Sequence, residues 1–98
     1  MRRLVFRTQA RLEYVEAVRW YRDRDLQVAI KFVEVVERNL QTIQEKPFQY
    51  QAIEDGFLRA TLRQFPYLIV YQVKTTEIII NSFFHTSRNP VSLRGQSS

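Results

Sequence analysis

Residues 57–85 read FLRATLRQFPYLIVYQVKTTEIIINSFFH, and most of the predicted sheet lies in this segment. In its first part, residues 57–65, apolar and polar side chains alternate with a period of two, which is typical of a β-strand with one buried face. Pro66 ends that strand, since proline lacks the N–H that a sheet ladder needs. Aromatic and β-branched residues then dominate residues 67–73 and 78–85, so the stretch predicts three strands joined by short turns, an antiparallel meander.

The first strand of this meander carries two arginines. Because side chains on a strand alternate between its faces, Arg59, Thr61 and Arg63 are predicted to project together from the side opposite the apolar residues. Two guanidinium groups on one face form a cationic surface that can bind a negative ligand, although a solvated sheet face has the same pattern. Tyr67, on the next strand, can either stack on a base or pack in the core.

Upstream of the meander the apolar period changes to that of a helix. Thr8 is the predicted cap of a first helix, whose apolar face consists of Ala10, Tyr14, Ala17, Val18 and Tyr21. This helix ends in the charged run of residues 22–25. A short β-prone segment, Leu4 to Phe6, precedes it and predicts a further strand.

A second helix follows directly. Asp25 is its predicted cap, Pro47 stops it, and its apolar stripe consists of Ala29, Val33, Val36, Leu40 and Ile43. Because the link between the helices is so short, we expect an antiparallel helical hairpin. Residues 47–56 are predicted as a loop that ends in the turn pair Asp55 and Gly56.

The order of these elements is β-α-α-β-β-β, which predicts an α+β fold. We expect an antiparallel four-stranded sheet that is packed on one face by the α-helical hairpin and partly exposed on the other. A chain of 98 residues fits a single domain, which we expect to span residues 1–90, with a polar, flexible tail at residues 91–98.

Composition excludes several kinds of chemistry. The chain has no cysteine and a single histidine, so disulfides, thiolate catalysis and a zinc site made of several histidines are not available to it. We expect neither a metal nor a cofactor. The longest apolar run, residues 68–71, has four residues, and the N-terminus reads as a strand and not as a signal peptide. These features predict a cytoplasmic protein with no membrane partner.

Positive charge is concentrated at the two ends of the sequence. Residues 1–25 contribute +3 and residues 57–98 contribute +4 to the net charge of +5, whereas residues 26–56 carry −2. If the ends meet in the fold, they form one basic face, which favours nucleic acid, a ribosome or an acidic protein as a partner. A solvated surface that keeps a small protein soluble explains the charge equally well.

One set of residues would support RNA cleavage. His85 can transfer a proton near neutral pH, and arginines can hold phosphate oxygens, as Arg59, Arg63 and Arg88 would do. A ribose 2′-hydroxyl would then attack the neighbouring phosphate without a metal. The reaction needs two proton-transfer groups, but arginine stays charged and the sequence offers one histidine. A lone histidine at a strand end is more often a structural hydrogen-bonding group.

Taken in order, these segments resemble the RelE/ParE toxin superfamily over about residues 3–90. No single motif carries the resemblance, which rests on the joint order and spacing of Leu12–Glu13, Ala17, Trp20–Tyr21, a long helix ending at Pro47, Leu58–Arg59, Phe65–Tyr67, Val70–Tyr71 and His85–Pro90. The resemblance implies a bacterial toxin of a type II toxin–antitoxin system, which a cognate antitoxin binds in a hetero-oligomer and neutralises.

The superfamily divides by mechanism. The ParE branch inhibits DNA gyrase and is not a nuclease, whereas the RelE branch consists of ribosome-dependent, metal-independent endoribonucleases that cut mRNA. The Phe65–Tyr67 and His85–Pro90 segments look more like the ParE branch and its plasmid-stabilisation relatives. In place of the lysine pair that some ribonuclease members carry ahead of this strand, residues 51–54 read QAIE, and no tyrosine follows His85 directly.

Three functions therefore stay open, and they use residues differently. The preferred one is a ParE-like toxin that inhibits gyrase and binds through Arg59, Thr61, Arg63, Tyr67 and Arg88. The alternative is a RelE-like endoribonuclease that acts on the ribosome and mRNA, with catalytic residues Arg59, Arg63, His85 and Arg88. The third is a degenerate toxin or a protein-binding module without toxic activity.

Overall fold

The computed structural model describes residues 1–87 and has an α+β fold with two α-helices and a five-stranded sheet. The elements are β1 (Arg3–Phe6), α1 (Thr8–Arg24), α2 (Leu26–Glu45), β2 (Gln51–Ala52), β3 (Phe57–Thr61), β4 (Tyr67–Val73) and β5 (Glu77–His85). The strands lie in the order β1-β5-β4-β3-β2. Arg88 and the predicted tail at residues 91–98 lie outside the described residues.

The sheet differs in two respects from the predicted four-stranded antiparallel one. β1 pairs with β5 in parallel, which the long connection through both helices permits, so the sheet is mixed. A fifth strand, β2, pairs with β3 over only two residues, inside the segment predicted as a loop. The antiparallel meander of β3, β4 and β5 is confirmed.

α1 buries the face that its periodicity predicts, with Ala10 and Ala17 in the core. The prediction that Thr8 caps this helix is wrong, because Thr8 is already its first residue and Arg7 holds the cap position without a side-chain hydrogen bond. The N–H of Arg7 donates to the carbonyl of Ile80 at 3.0 Å, which keeps Arg7 in the extended conformation of the neighbouring strands.

α2 begins where Asp25 was predicted to cap it. The carboxylate of Asp25 accepts hydrogen bonds from the N–H groups of Gln27 at 2.9 Å and Val28 at 3.4 Å. The predicted stripe is buried except for Val33, which is half-buried, and the buried face is wider because it also includes Phe32 and Val35. Neither described helix is long and apolar enough to cross a membrane.

The main core lies between the helical hairpin and one face of the sheet. The ring of Phe32 stands at its centre, with ring centroids of Tyr21, Phe65 and Tyr67 within 5.0 to 5.3 Å. On β3 the predicted alternation holds, since Leu58 and Ala60 face this core. These contacts fix the hairpin over the meander.

A smaller apolar cluster occupies the opposite face of the sheet. Leu68, Val70 and Phe84 are buried there, and Ile53 and Phe57 pack against them. The centre of the face that was expected to carry the free arginines is therefore covered by the chain's own apolar residues.

Candidate functional site

The two arginines of the meander do not share a strand face. β3 ends at Thr61, and the chain then turns through Gln64, whose φ is 71°. The N–H of Leu62 closes this turn by donating to the carbonyl of Tyr67 at 2.9 Å. Arg63 thus leaves the sheet, and the prediction that Arg59 and Arg63 project together is wrong, because strand alternation does not continue past the last paired residue.

Arg59 stays on the sheet face that points away from the helices. It is half-buried, and its Nε and Nη2 donate to Oε1 of Gln51 at 3.1 and 3.0 Å. Gln51 lies directly opposite Arg59 on β2, so this pair ties the two-residue strand to the sheet edge. The partner is a neutral amide, and within residues 1–87 no carboxylate forms an ion pair with the guanidinium.

Arg63 enters a groove of about 460 Å³ between α2 and the end of β3. Residues from three segments line the groove: Lys31, Val35, Arg38, Asn39 and Thr42 from α2, Gln49 and Tyr50 from the segment after α2, and Thr61, Arg63 and Gln64 from the end of β3. Within residues 1–87 no carboxylate lines the groove, and none of its three cations forms an ion pair. We call this set of residues the basic groove.

Sequence reasoning found one side of the basic groove and missed the other. Thr61 and Arg63 were predicted as binding residues, and they do line one site. Lys31 and Arg38 were not predicted, although their spacing of seven residues puts them on one helix face, about two turns apart. The sequence alone does not show that this face of α2 lies beside the end of β3.

Tyr67 and His85 lie on the helix-facing side of the sheet. Tyr67 is 3% exposed and packs against Phe32, so the prediction that it binds a ligand at the surface is wrong. His85 is half-buried opposite Tyr67, with the two rings perpendicular and 4.9 Å apart. The Nδ1 of His85 accepts a hydrogen bond from the N–H of Ser87 at 3.2 Å, which is the structural role considered above.

The residues that the ribonuclease alternative requires at one active site do not lie together in the described structure. His85 lies on one face of the sheet, Arg59 on the other, and Arg63 in the basic groove, while Arg88 is outside the described residues. Metal-independent RNA cleavage needs proton-transfer and phosphate-binding groups around one phosphate. In the part of the chain that the structure describes, no group of three or more histidine, aspartate or glutamate residues could hold a metal ion.

The hydroxyl groups of Tyr14 and Tyr71 have raised pKa values and stay neutral at physiological pH. Burial, with a smaller effect of Glu37, raises the pKa of Tyr14 to about 12. Burial also raises the pKa of Tyr71, and Tyr50 adds to that shift. The hydroxyl of Tyr71 donates to the carbonyl of Pro47, which anchors the segment that forms one end of the basic groove.

Comparison with known proteins gives one family and one fold. A family model described as the ParE toxin of the type II toxin–antitoxin system parDE matches residues 4–90. Among solved structures, the chain is similar to the chromosomal ParDE TA system from P. aeruginosa, with a TM-score of 0.75 and 20% sequence identity. That match covers 87% of this chain and 96% of the other, and at such identity it shows a shared fold. No curated protein matches the sequence.

Proposed function

This chain belongs to the ParE toxin family of type II toxin–antitoxin systems, and from that premise we propose that it inhibits DNA gyrase and is neutralised by a cognate antitoxin. The family match over residues 4–90 is the observation that carries the proposal. The P. aeruginosa structure of the same fold is described as a ParDE toxin–antitoxin system, which supports a paired antitoxin here as well.

The positions of the charged residues favour a toxin that acts by binding over one that cuts RNA. Arg59, Arg63 and His85 occupy three separate places, so no described site combines a proton-transfer group with several phosphate ligands. The three cations of the basic groove form no ion pair within residues 1–87, which is compatible with a protein partner that carries negative charge. We therefore retain gyrase as the proposed target and the ribosome with mRNA as the alternative.

A supercoiling assay with purified gyrase tests the proposed target. We expect the purified chain to inhibit supercoiling of relaxed plasmid in a concentration-dependent manner, while relaxation by a type I topoisomerase in the same buffer stays unchanged. Unaltered gyrase activity at concentrations that stop translation in a cell-free extract would contradict the proposal and favour the ribosome.

Co-expression tests the proposed antitoxin. The partner is expected in the adjacent reading frame as a small acidic protein, and its co-expression should restore growth to cells that produce the toxin. Normal growth of cells that verifiably express this chain alone would argue for the third possibility, a module that has lost toxic activity.

The ribonuclease alternative makes its own prediction about residues. If the chain cut mRNA, His85→Gln and Arg63→Ala would each abolish cutting while the protein stayed folded. Cutting at the wild-type rate by both variants would remove these residues from any active site.

A further inference from the structure

An exposed phenylalanine lies in a turn that two hydrogen bonds fix. Phe48 follows the end of α2 and is 65% exposed. The N–H of Gln49 donates to the carbonyl of Lys46 at 3.3 Å, which closes the turn around Pro47 and Phe48. The carbonyl of Pro47 accepts the hydrogen bond from the buried Tyr71 hydroxyl. The backbone on both sides of Phe48 is therefore held in place while its ring stays in contact with solvent.

Arg2 covers one face of this ring. Its guanidinium carbon lies 5.6 Å from the ring centroid of Phe48, within the distance of about 6 Å at which a cation is attracted to an aromatic face. The Nε of Arg2 donates to the carbonyl of Lys74 at 2.7 Å, and its carbonyl accepts from Nε2 of Gln44 at 2.7 Å. Because most of Phe48 is exposed although Arg2 covers one face, the other face of the ring is accessible.

The positive charges around this ring form no ion pair within residues 1–87. The carboxylates nearest in sequence to the two lysines are engaged elsewhere, since Glu77 pairs with Arg3 at 3.3 Å and Glu45 accepts from Gln41 at 3.4 Å. We call the ring and its cations the Phe48 platform, which consists of Arg2, Lys46, Phe48 and Lys74. It shares no residue with the basic groove.

We propose that the Phe48 platform binds single-stranded nucleic acid. A base would stack on the free face of Phe48, and the cations would hold the neighbouring phosphates. Proteins that bind single strands without sequence preference combine these two features, a positively charged surface and an aromatic ring on which a base stacks. The inference goes beyond the proposed function and does not depend on gyrase inhibition.

Other negatively charged partners fit the Phe48 platform less well. A duplex keeps its bases stacked on one another, so it offers none to Phe48. A membrane surface is bound by a broad apolar face flanked by cations, whereas this site presents one ring. An acidic peptide would use the cations, but it brings no flat group that matches the free face of Phe48. An unpaired base with its phosphate supplies both.

Fluorescence anisotropy with the full chain tests the proposal. The probes are a short labelled oligothymidylate and an oligouridylate of the same length, and we expect saturable binding of both. An abasic strand with the same number of phosphates should bind at least about fivefold more weakly, because stacking of one base on an aromatic ring accounts for at least that factor. The oligothymidylate paired with oligoadenylate should also bind more weakly than the single strand.

Variants of Phe48 test the stacking. We expect Phe48→Ala to weaken binding of the oligothymidylate at least about fivefold and to leave binding of the abasic strand unchanged within about twofold. Phe48→Tyr keeps the ring and should restore wild-type affinity within about twofold. Leu12→Ala is the matched control, since it removes another exposed apolar side chain, on α1, and should have no effect.

Variants of the lysines test the phosphate contacts. Lys46→Gln combined with Lys74→Gln should reduce the dependence of the logarithm of the binding constant on the logarithm of salt concentration by about 0.7 for each lysine. Arg38→Gln combined with Arg63→Gln removes two charges from the basic groove and should leave this dependence unchanged. Both lysines are exposed, and Lys74→Gln alone serves if circular dichroism shows that the double variant is unfolded.

Four results would overturn the inference. They are the absence of saturable binding, equal affinity for the abasic strand, equal effects of Phe48→Ala and Leu12→Ala, and an equal change of salt dependence in the two double variants. Displacement of the oligonucleotide by polyglutamate at lower concentration than by unlabelled oligonucleotide would also contradict it and assign the platform to an acidic protein. Binding that requires both the base and the ring supports it, and the tighter of the two strands identifies DNA or RNA as the ligand.

Discussion

Asp25 is the one residue between the two helices, and it serves both of them. Its N–H donates to the carbonyl of Tyr21 at the end of α1, at 2.7 Å, while its carboxylate accepts from the first turn of α2. An aspartate can do this because its side chain satisfies helix N–H groups that have no partner within the helix.

Replacing Asp25 should therefore weaken the fold measurably. We expect Asp25→Ala to lower the free energy of unfolding by about 1 kcal/mol, within a range of about 0.5–2 kcal/mol for a lost cap, as measured by urea denaturation. Asp23→Ala is the matched control, since Asp23 is exposed and only pairs with Arg22 at 3.6 Å. It should change stability by less than about 0.5 kcal/mol. Equal losses for both variants would contradict the capping role.

Glu13 links α1 to the sheet. Its Oε1 accepts a hydrogen bond from the backbone N–H of Phe83 on β5 at 2.9 Å, in a partly buried position. We expect Glu13→Ala to lower the free energy of unfolding by about 1.5–3 kcal/mol, because the bond involves a charged acceptor. Glu16→Ala, which removes only an exposed pair with Arg19, should cost less than about 1 kcal/mol.

Hydrogen exchange gives an independent check on Glu13. In Glu13→Ala the amide of Phe83 should lose protection relative to its neighbours on β5, since its acceptor is gone. Unchanged protection of that amide would mean that the bond to Glu13 does not hold the helix to the sheet.

Tyr14 makes the free energy of unfolding depend on pH in the alkaline range. Its pKa of about 12 in the fold lies above its ordinary value of 10.0, so the folded state keeps the proton longer than the unfolded state. The resulting stability is fully present below pH 10 and is lost as the pH rises towards 12. Tyr14→Phe should therefore show a shallower fall of Tm between these pH values than the wild type. An identical slope in the two proteins would contradict the burial of this hydroxyl.

At the scale of elements, the segment after α2 is held to β4 by one hydrogen bond. The Tyr71 hydroxyl donates to the carbonyl of Pro47, and both residues are buried. We expect Tyr71→Phe to lower the free energy of unfolding by about 1–3 kcal/mol, because it leaves a buried carbonyl without a partner. Urea denaturation of Tyr50→Phe is the control. Tyr50→Phe keeps the ring that packs against Tyr71 with centroids 6.5 Å apart, so the loss of its hydroxyl should cost less than about 0.5 kcal/mol.

The elements with strong periodicity could be predicted from the sequence. The helical faces around Ala17 and Val36 and the alternation through Leu58 and Ala60 all lie where the pattern places them. In each case one face of the element is buried against a large core, so its apolar residues recur with the period of that element and can be recognised in the sequence.

Other elements depend on pairing that leaves no such pattern. β2 consists of two exposed residues, Gln51 and Ala52, so no apolar alternation marks it. The parallel pairing of β1 with β5 depends on how the hairpin crosses the sheet, which local sequence does not specify. Arg63 continued the alternation of β3 in sequence, but the strand had already ended at Thr61.

At the scale of the whole molecule, the fold collects cations from different segments. Lys31 and Arg38 come from the part of the sequence with a net negative charge, yet they meet Arg63 from the basic C-terminal part. The two ends of the sequence do meet, since β1 pairs with β5, but no residue of these two strands lines the basic groove. Charge totals along a sequence could not predict this site, because they do not show which segments meet in the fold.

We propose that this ParE-family toxin acts by binding gyrase and not by cutting RNA. The most direct measurement is to induce the chain without its antitoxin and to follow plasmid topology and the 5′ ends of mRNA in the same cells. We expect loss of negative supercoiling or cleaved plasmid, with intact mRNA. In-frame cuts in mRNA with normal plasmid topology would contradict it.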